Sequence, residues 1–133
     1  MSYEKIQSLL DTRLQALTGL PTIQLENTRN IGQTGIPFSR ATLLPARATQ
    51  ATVGLQGRDS RTGLYQVDLF YPLDAGTATI NAMADSVIDH FTRGLVLIDG
   101  AINVHVLVCW RETGRRIEPF YSVPVVIEWS CID

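Results

Sequence analysis

Ile102-Asn103-Val104-His105-Val106-Leu107-Val108-Cys109-Trp110 alternates in side-chain character, and so does Ser122-Val123-Pro124-Val125-Val126-Ile127-Glu128-Trp129. An extended chain turns successive side chains to opposite faces. Ile102, Val104, Val106, Val108 and Trp110 therefore share one face, against Asn103, His105, Leu107 and Cys109 on the other. Val123, Val125, Ile127 and Trp129 likewise oppose Ser122, Pro124, Val126 and Glu128. Glu112-Thr113-Gly114-Arg115 between the runs has turn composition, so the pair reads as an antiparallel hairpin.

Working back from that hairpin, Leu95 to Ile98 is apolar and Asp99-Gly100 turns the chain. Upstream, Ile80, Met83, Ala84, Val87, Ile88 and Phe91 form a stripe of helical spacing. Asp74 or Thr77 is its expected N-cap, and Gly94 its stop. Residues 64–71 alternate strongly, with Tyr65, Val67, Leu69 and Tyr71 on one face. Residues 57–63 are polar and bounded by glycines, as in a hairpin loop. Short strands are expected over 22–27, 40–49 and 52–57, with Pro45 marking an edge or a bulge. A long loop rich in Asn, Thr and Gly is expected over 27–38. At the start, Ile6, Leu9, Leu10, Leu14 and Leu17 define a helix with Ser2 as its cap, ended by Gly19 and Pro21. The order is α-β-β-β-β-α-β-β. Helices and strands do not alternate singly, so the expected class is α+β: an antiparallel-rich mixed sheet with two helices packed on one face.

The chain has 133 residues, which suits one domain spanning 1–133. It is 45% hydrophobic and 18% charged, neither a disordered tail nor a coiled-coil rod. Eleven basic residues stand against thirteen acidic ones, a net of −2, which argues against a protein that coats DNA. No apolar run approaches the ~20 residues of a membrane span. The N-terminal Met1-Ser2-Tyr3-Glu4-Lys5 does not read as an export signal, and two cysteines cannot build a disulfide framework, so folding in a reducing cytosol is expected.

Candidate chemistry is sparse. Asp85 and Asp89 lie one helical turn apart, but two carboxylates alone make a poor cation site, and a solvated helix face is the plainer reading. His105 and Cys109 are four residues apart on one strand, roughly 13 Å, too far for a nucleophile–base pair. Cys109 and Cys131 fall on opposite sheet faces by alternation and read as reduced thiols. Ser60 lacks a nucleophile elbow, Lys5 is the sole lysine, and no glycine-rich phosphate loop is present. No catalytic residue, cofactor or metal is expected. The arginines stand out. Arg58 and Arg61 belong to the expected hairpin tip, and Arg29 and Arg40 flank the other long loop. They read either as partner contacts or as ordinary solvated loop residues.

Several quoted segments together resemble the tail-terminator-like, or tail-completion, proteins of long-tailed bacteriophages. They are Leu25-Glu26-Asn27 before a variable loop, Pro37-Phe38-Ser39-Arg40 leading into Leu43-Leu44-Pro45-Ala46, and Gly63-Leu64-Tyr65-Gln66-Val67-Asp68. Tyr71-Pro72-Leu73-Asp74-Ala75-Gly76 enters the helix with Ala84-Asp85, and Val126-Ile127-Glu128-Trp129 completes the pattern. The resemblance implies a structural virion protein assembled in the host cytoplasm. It implies a ring of about six copies on the head-proximal end of the tail tube, built on heterologous contacts. Such a ring would stop tube growth and offer a head-joining surface. The implied partners are further copies of the chain, the tail tube protein and head-completion or connector proteins, with at most non-specific contact to passing DNA. Another neck or head–tail connector component is the nearest alternative. A small ligand-binding or enzymatic domain using Asp85, Asp89, His90 or His105 is the more distant one.

Overall fold

The computed structural model describes residues 3–26, 35–45, 49–50, 59–74, 76–100 and 102–132. Among them are two helices and eight strands: α1 (Tyr3–Gln15), β1 (Thr22–Gln24), β2 (Phe38–Pro45), β3 (Thr49–Gln50), β4 (Asp59–Pro72), α2 (Ala78–His90), β5 (Val96–Asp99), β6 (Ile102–Arg111), β7 (Arg115–Ile117) and β8 (Phe120–Ile132). The class is α+β. The strands form one sheet in the order β1-β2-β4-β8-β6-β5, with β3 added to β4 and β7 to β8. Only β1 and β2 pair in parallel; every other ladder is antiparallel.

The alternation of β4 and β8 selects one buried face. Tyr65, Val67 and Leu69 of β4 and Val123, Val125, Ile127, Trp129 and Cys131 of β8 join one core cluster. Ile6, Leu10 and Leu14 of α1 and Ile80, Ala84 and Val87 of α2 belong to the same cluster and are almost wholly buried. Each large aliphatic side chain so buried contributes about 1.5–3 kcal/mol. On the other face Phe38, Phe70 and Phe120 make a second cluster, with Phe38 stacked on Phe70 at 4.6 Å between ring centroids. Gly63 sits inside β4 because Trp129 lies across it. A Cβ there would come within 2.8 Å of the indole and 2.7 Å of the Leu44 carbonyl oxygen.

The structure corrects the expected order after α2, where four strands follow instead of two. Val96–Asp99 forms an edge strand on β6, with Asp99 opposite Ile102. Residues 112–114 do not reverse the chain. The reversal falls at Glu118-Pro119, and Arg115–Ile117 pairs back onto the start of β8, with Ile117 opposite Phe120. The expected hairpin loop over 57–63 is strand from Asp59 onward, paired with β8 as far as Ile132. The strand expected over 52–57, the Ser2 cap and residues 27–34 of the long loop lie outside the described residues.

The uninterrupted alternation expected of β6 also breaks. The register with β8 slips between Val106 and Val108, a β-bulge with Leu107 as the extra residue. Val106 pairs with core Trp129, but Val108 pairs with Glu128 and Cys109 with core Ile127. Beyond the bulge Cys109 therefore turns to the core face, and Val108 and Trp110 to the face of Val126 and Glu128. The Arg93 side chain donates from Nε to the Leu107 carbonyl at 3.1 Å, giving the displaced backbone oxygen a partner. The N-cap of α2 is Thr77, but its side chain makes no capping hydrogen bond. Asp74 instead occupies a left-handed turn conformation with φ 64°.

Candidate functional site

Of the four arginines singled out in the sequence, Arg40 and Arg61 fall within the described residues; Arg29 and Arg58 lie outside them. Arg40 projects from β2 on the face of Phe38 and Phe70. Its guanidinium lies 4.9 Å from the Phe70 ring centroid, and its Nε is 4.0 Å from the Asp68 carboxylate. The side chain remains 46% exposed. Arg61 is in β4 rather than at a hairpin tip. It points to the helix side, with its guanidinium 4.7 Å from the Tyr3 ring centroid, and its Nε is buried without a hydrogen-bond partner among the described residues. The structure thus separates these two arginines onto opposite faces of the sheet.

The groups that could have carried catalysis do not converge. His90 is engaged with the backbone of α1, and His105 is exposed on β6. Cys109 has turned to the opposite face from His105 and burial pushes its thiol up to about 12, so it is a poor nucleophile. Asp85 and Asp89 are exposed on α2, and no group of three or more His, Cys, Asp or Glu among the described residues could hold a metal. Cys109 and Cys131 form no disulfide with each other. They share the core face, so the reason is register rather than opposite faces. Cys109 stands opposite Ile127, four residues from Cys131 and roughly 13 Å along the strand.

A cleft of about 660 Å³ opens between α1 and the residues after β1, and Tyr3, Glu4, Asp11 and Glu26 are among its lining. It is an open surface groove with acidic side chains in its walls. At its base the Tyr65 hydroxyl donates to the Asp11 carboxylate, and Glu26 Oε1 accepts the Leu43 backbone N–H at 2.7 Å.

The feature that sequence reasoning missed is apolar exposure at the strand edges. Ile98 is 65% exposed on β5, accompanied by Val96 and by Leu107 at the bulge. Leu44, near the far end of β2, is exposed as well. By register Val96 and Ile98 pair with His105 and Asn103, so they occupy the face away from the helices. Nothing in the composition of these strands separates an exposed isoleucine from a buried one; only the order of strands makes β5 an edge.

Among the described residues, apolar side chains are exposed at the sheet edges, and the candidate reactive groups stay apart. The chain matches the phage tail terminator family over residues 5–129, and it belongs to that family of structural, non-enzymatic virion tail proteins. One solved structure is similar over 98% of this chain and 96% of its own length, with a TM-score of 0.78 and 20% identity, which shows the shared fold. No protein of curated function matches the chain. No helix among the described residues is long and apolar enough to cross a membrane.

Proposed function

We propose that this protein closes into a ring of about six copies on the head-proximal end of the tail tube, ending tube growth and presenting the surface that receives the head. The family match over residues 5–129 carries this reading. The sheet supports it. A closed ring of identical subunits needs two different patches that meet head to tail. The open sheet supplies two unlike edges, β5 with Val96 and Ile98, and β1–β2 with Arg40 and Leu44. A net charge of −2 adds little repulsion between copies. Arg29, Arg40, Arg58 and Arg61 are the proposed contact arginines, Arg40 the best placed because it is exposed beside an aromatic cluster. Passing DNA meets the ring only non-specifically.

Native mass spectrometry of the protein alone and with purified tail tubes, with electron microscopy of the same samples, tests this directly. Closed rings, or one ring per tube end, are the expected result. A protein that stays monomeric and leaves tube length unregulated overturns it.

A further inference from the structure

Among the described strands β1 and β5 are the two ends of the sheet, each with a neighbour on one side only. The hydrogen bonding of β5 fixes which of its backbone groups face the open side. The Leu95 carbonyl accepts from the Val106 N–H of β6 at 2.8 Å. In an antiparallel ladder consecutive residues turn their N–H and C=O to opposite sides. Leu97 and Asp99 therefore bond to β6, while Val96 and Ile98 direct N–H and C=O outward, away from the sheet. The same two residues carry the apolar side chains exposed on the face away from the helices. On the helix face the edge opens onto a groove of about 370 Å³, with Leu9 and Ala16 among its α1 residues and Leu97 on the strand side. A strand laid along β5 would meet main-chain partners at Val96 and Ile98, apolar side chains on one face and an apolar-walled slot on the other.

We propose that β5 takes β1 of a second copy as its next strand, so that one sheet continues from subunit to subunit. This inference rests on the ring reading above and adds how the two edges join. β1 fits the edge in length, three residues against four. It fits in pattern as well. Ile23 packs on the helix-face core, and Thr22 and Gln24 face the other way beside Phe38 and Arg40. With the helix faces of two copies aligned, Ile23 enters the groove next to Leu97, and Thr22 and Gln24 flank Val96 and Ile98. Pairing unlike edges leaves one β1 and one β5 open at the ends of every partial assembly, so the addition repeats until the ring closes.

Ile98→Pro tests the pairing itself. It removes the outward N–H and spares the bonds that Leu97 and Asp99 make to β6, and an edge strand tolerates proline where its nitrogen faces away from the ladder. Ile98→Val keeps the N–H and serves as the control. Native mass spectrometry, with and without purified tail tubes, reads the share of closed rings. Thermal melts read folding, and amide hydrogen exchange reads Val96 and Ile98 in the monomer and in the assembled native protein. Native and Ile98→Val chains should close rings. Ile98→Pro should melt within a few degrees of the native chain and lose rings by about tenfold or more, as for one hydrogen bond lost at every interface. The Val96 and Ile98 amides should exchange fast in the monomer and slow by about tenfold or more on assembly. Rings in which both amides keep the monomer rate, or Ile98→Pro rings as abundant as native ones, overturn the strand addition and leave the ring standing. An Ile98→Pro chain that unfolds shows that N–H to be used inside the subunit, which also overturns it. A native chain that forms no ring, alone or on tubes, overturns the ring reading and this inference with it.

Discussion

Arg13 and His90 clasp each other's backbone across the C-terminal ends of the two helices. Arg13 donates from Nε and Nη2 to the His90 carbonyl at 3.2 and 2.8 Å, and the His90 Nε2 meets the Arg13 carbonyl at 2.5 Å as its donor. A helix end leaves its last carbonyls without intrahelical partners, and a cation there also suits the negative end of the dipole. Each helix therefore completes the other's terminus, with the chain from 14 to 89 closing between them. Arg13→Ala should destabilise the protein by about 1.5–3 kcal/mol, the range for hydrogen bonds to a charged group. His90→Ala should cost about 1 kcal/mol for one hydrogen bond. The double variant should lose less than the sum, because the two limbs share one geometry. Urea unfolding of the four proteins measures the coupling, and strict additivity would show that the limbs act independently.

Gly63→Ala should cost about 1–3 kcal/mol, the range for an overpacked core. The new methyl would meet the Leu44 carbonyl, the Pro45 Cα at 3.1 Å and the Trp129 ring, two of them backbone atoms that cannot rotate away. Gly114→Ala also crowds a neighbour, but there the obstacle is the Tyr121 side chain, which can swing outward. Thermal melts should rank Gly63→Ala as the more damaging change. The reverse order would mean that the β2–β4 pairing yields more readily than a tyrosine side chain.

Much of this fold was legible because a buried face imposes a period. The stripe of Ile80, Ala84 and Val87 and the alternation of Tyr65, Val67 and Leu69 each reported one environment, and the structure buries each set on one side. Failures occurred where pairing, not composition, decides. Leu107 looks like any other apolar residue of β6, and only the ladder with β8 makes it the bulged one. Arg115–Ile117 is too polar to read as a strand, yet it lies opposite residues 120–122 of β8. Arg61 sits in a polar stretch that reads as a loop, while its strand partners lie seventy residues away, with Cys131 directly opposite. The candidate site was less legible still. An edge is a property of the finished sheet, so Ile98 could not be marked as exposed from its neighbours in sequence.

Neither thiol should react while the protein is folded. The Cys109 thiol is pushed up to about 12, so its thiolate fraction at pH 8 is on the order of 10⁻⁴. Cys131 is fully buried in the core. Treatment with iodoacetamide at pH 8 should leave both unmodified in the native protein and alkylate both in guanidinium, as read by intact mass. Rapid modification of Cys109 in the native protein would place its side chain at the surface and contradict the turn that the bulge at Leu107 imposes.

Ile98→Asp tests whether the β5 edge serves as an assembly surface. Ile98 is 65% exposed, so an aspartate there should change monomer stability by no more than about 0.5 kcal/mol, as for other surface positions. If β5 meets the β1–β2 edge of the next copy, burying that carboxylate against apolar side chains is costly and ring closure should be lost. Arg40→Ala on the opposite edge should weaken closure less, because part of its guanidinium already rests on Phe70 and beside Asp68. Mixing the two variants is the decisive step. A head-to-tail ring needs every β5 edge intact, so adding Ile98→Asp subunits to native protein should cap open chains and suppress closed rings in proportion to their share. Rings that persist at full size with Ile98→Asp alone would move the subunit contact away from β5.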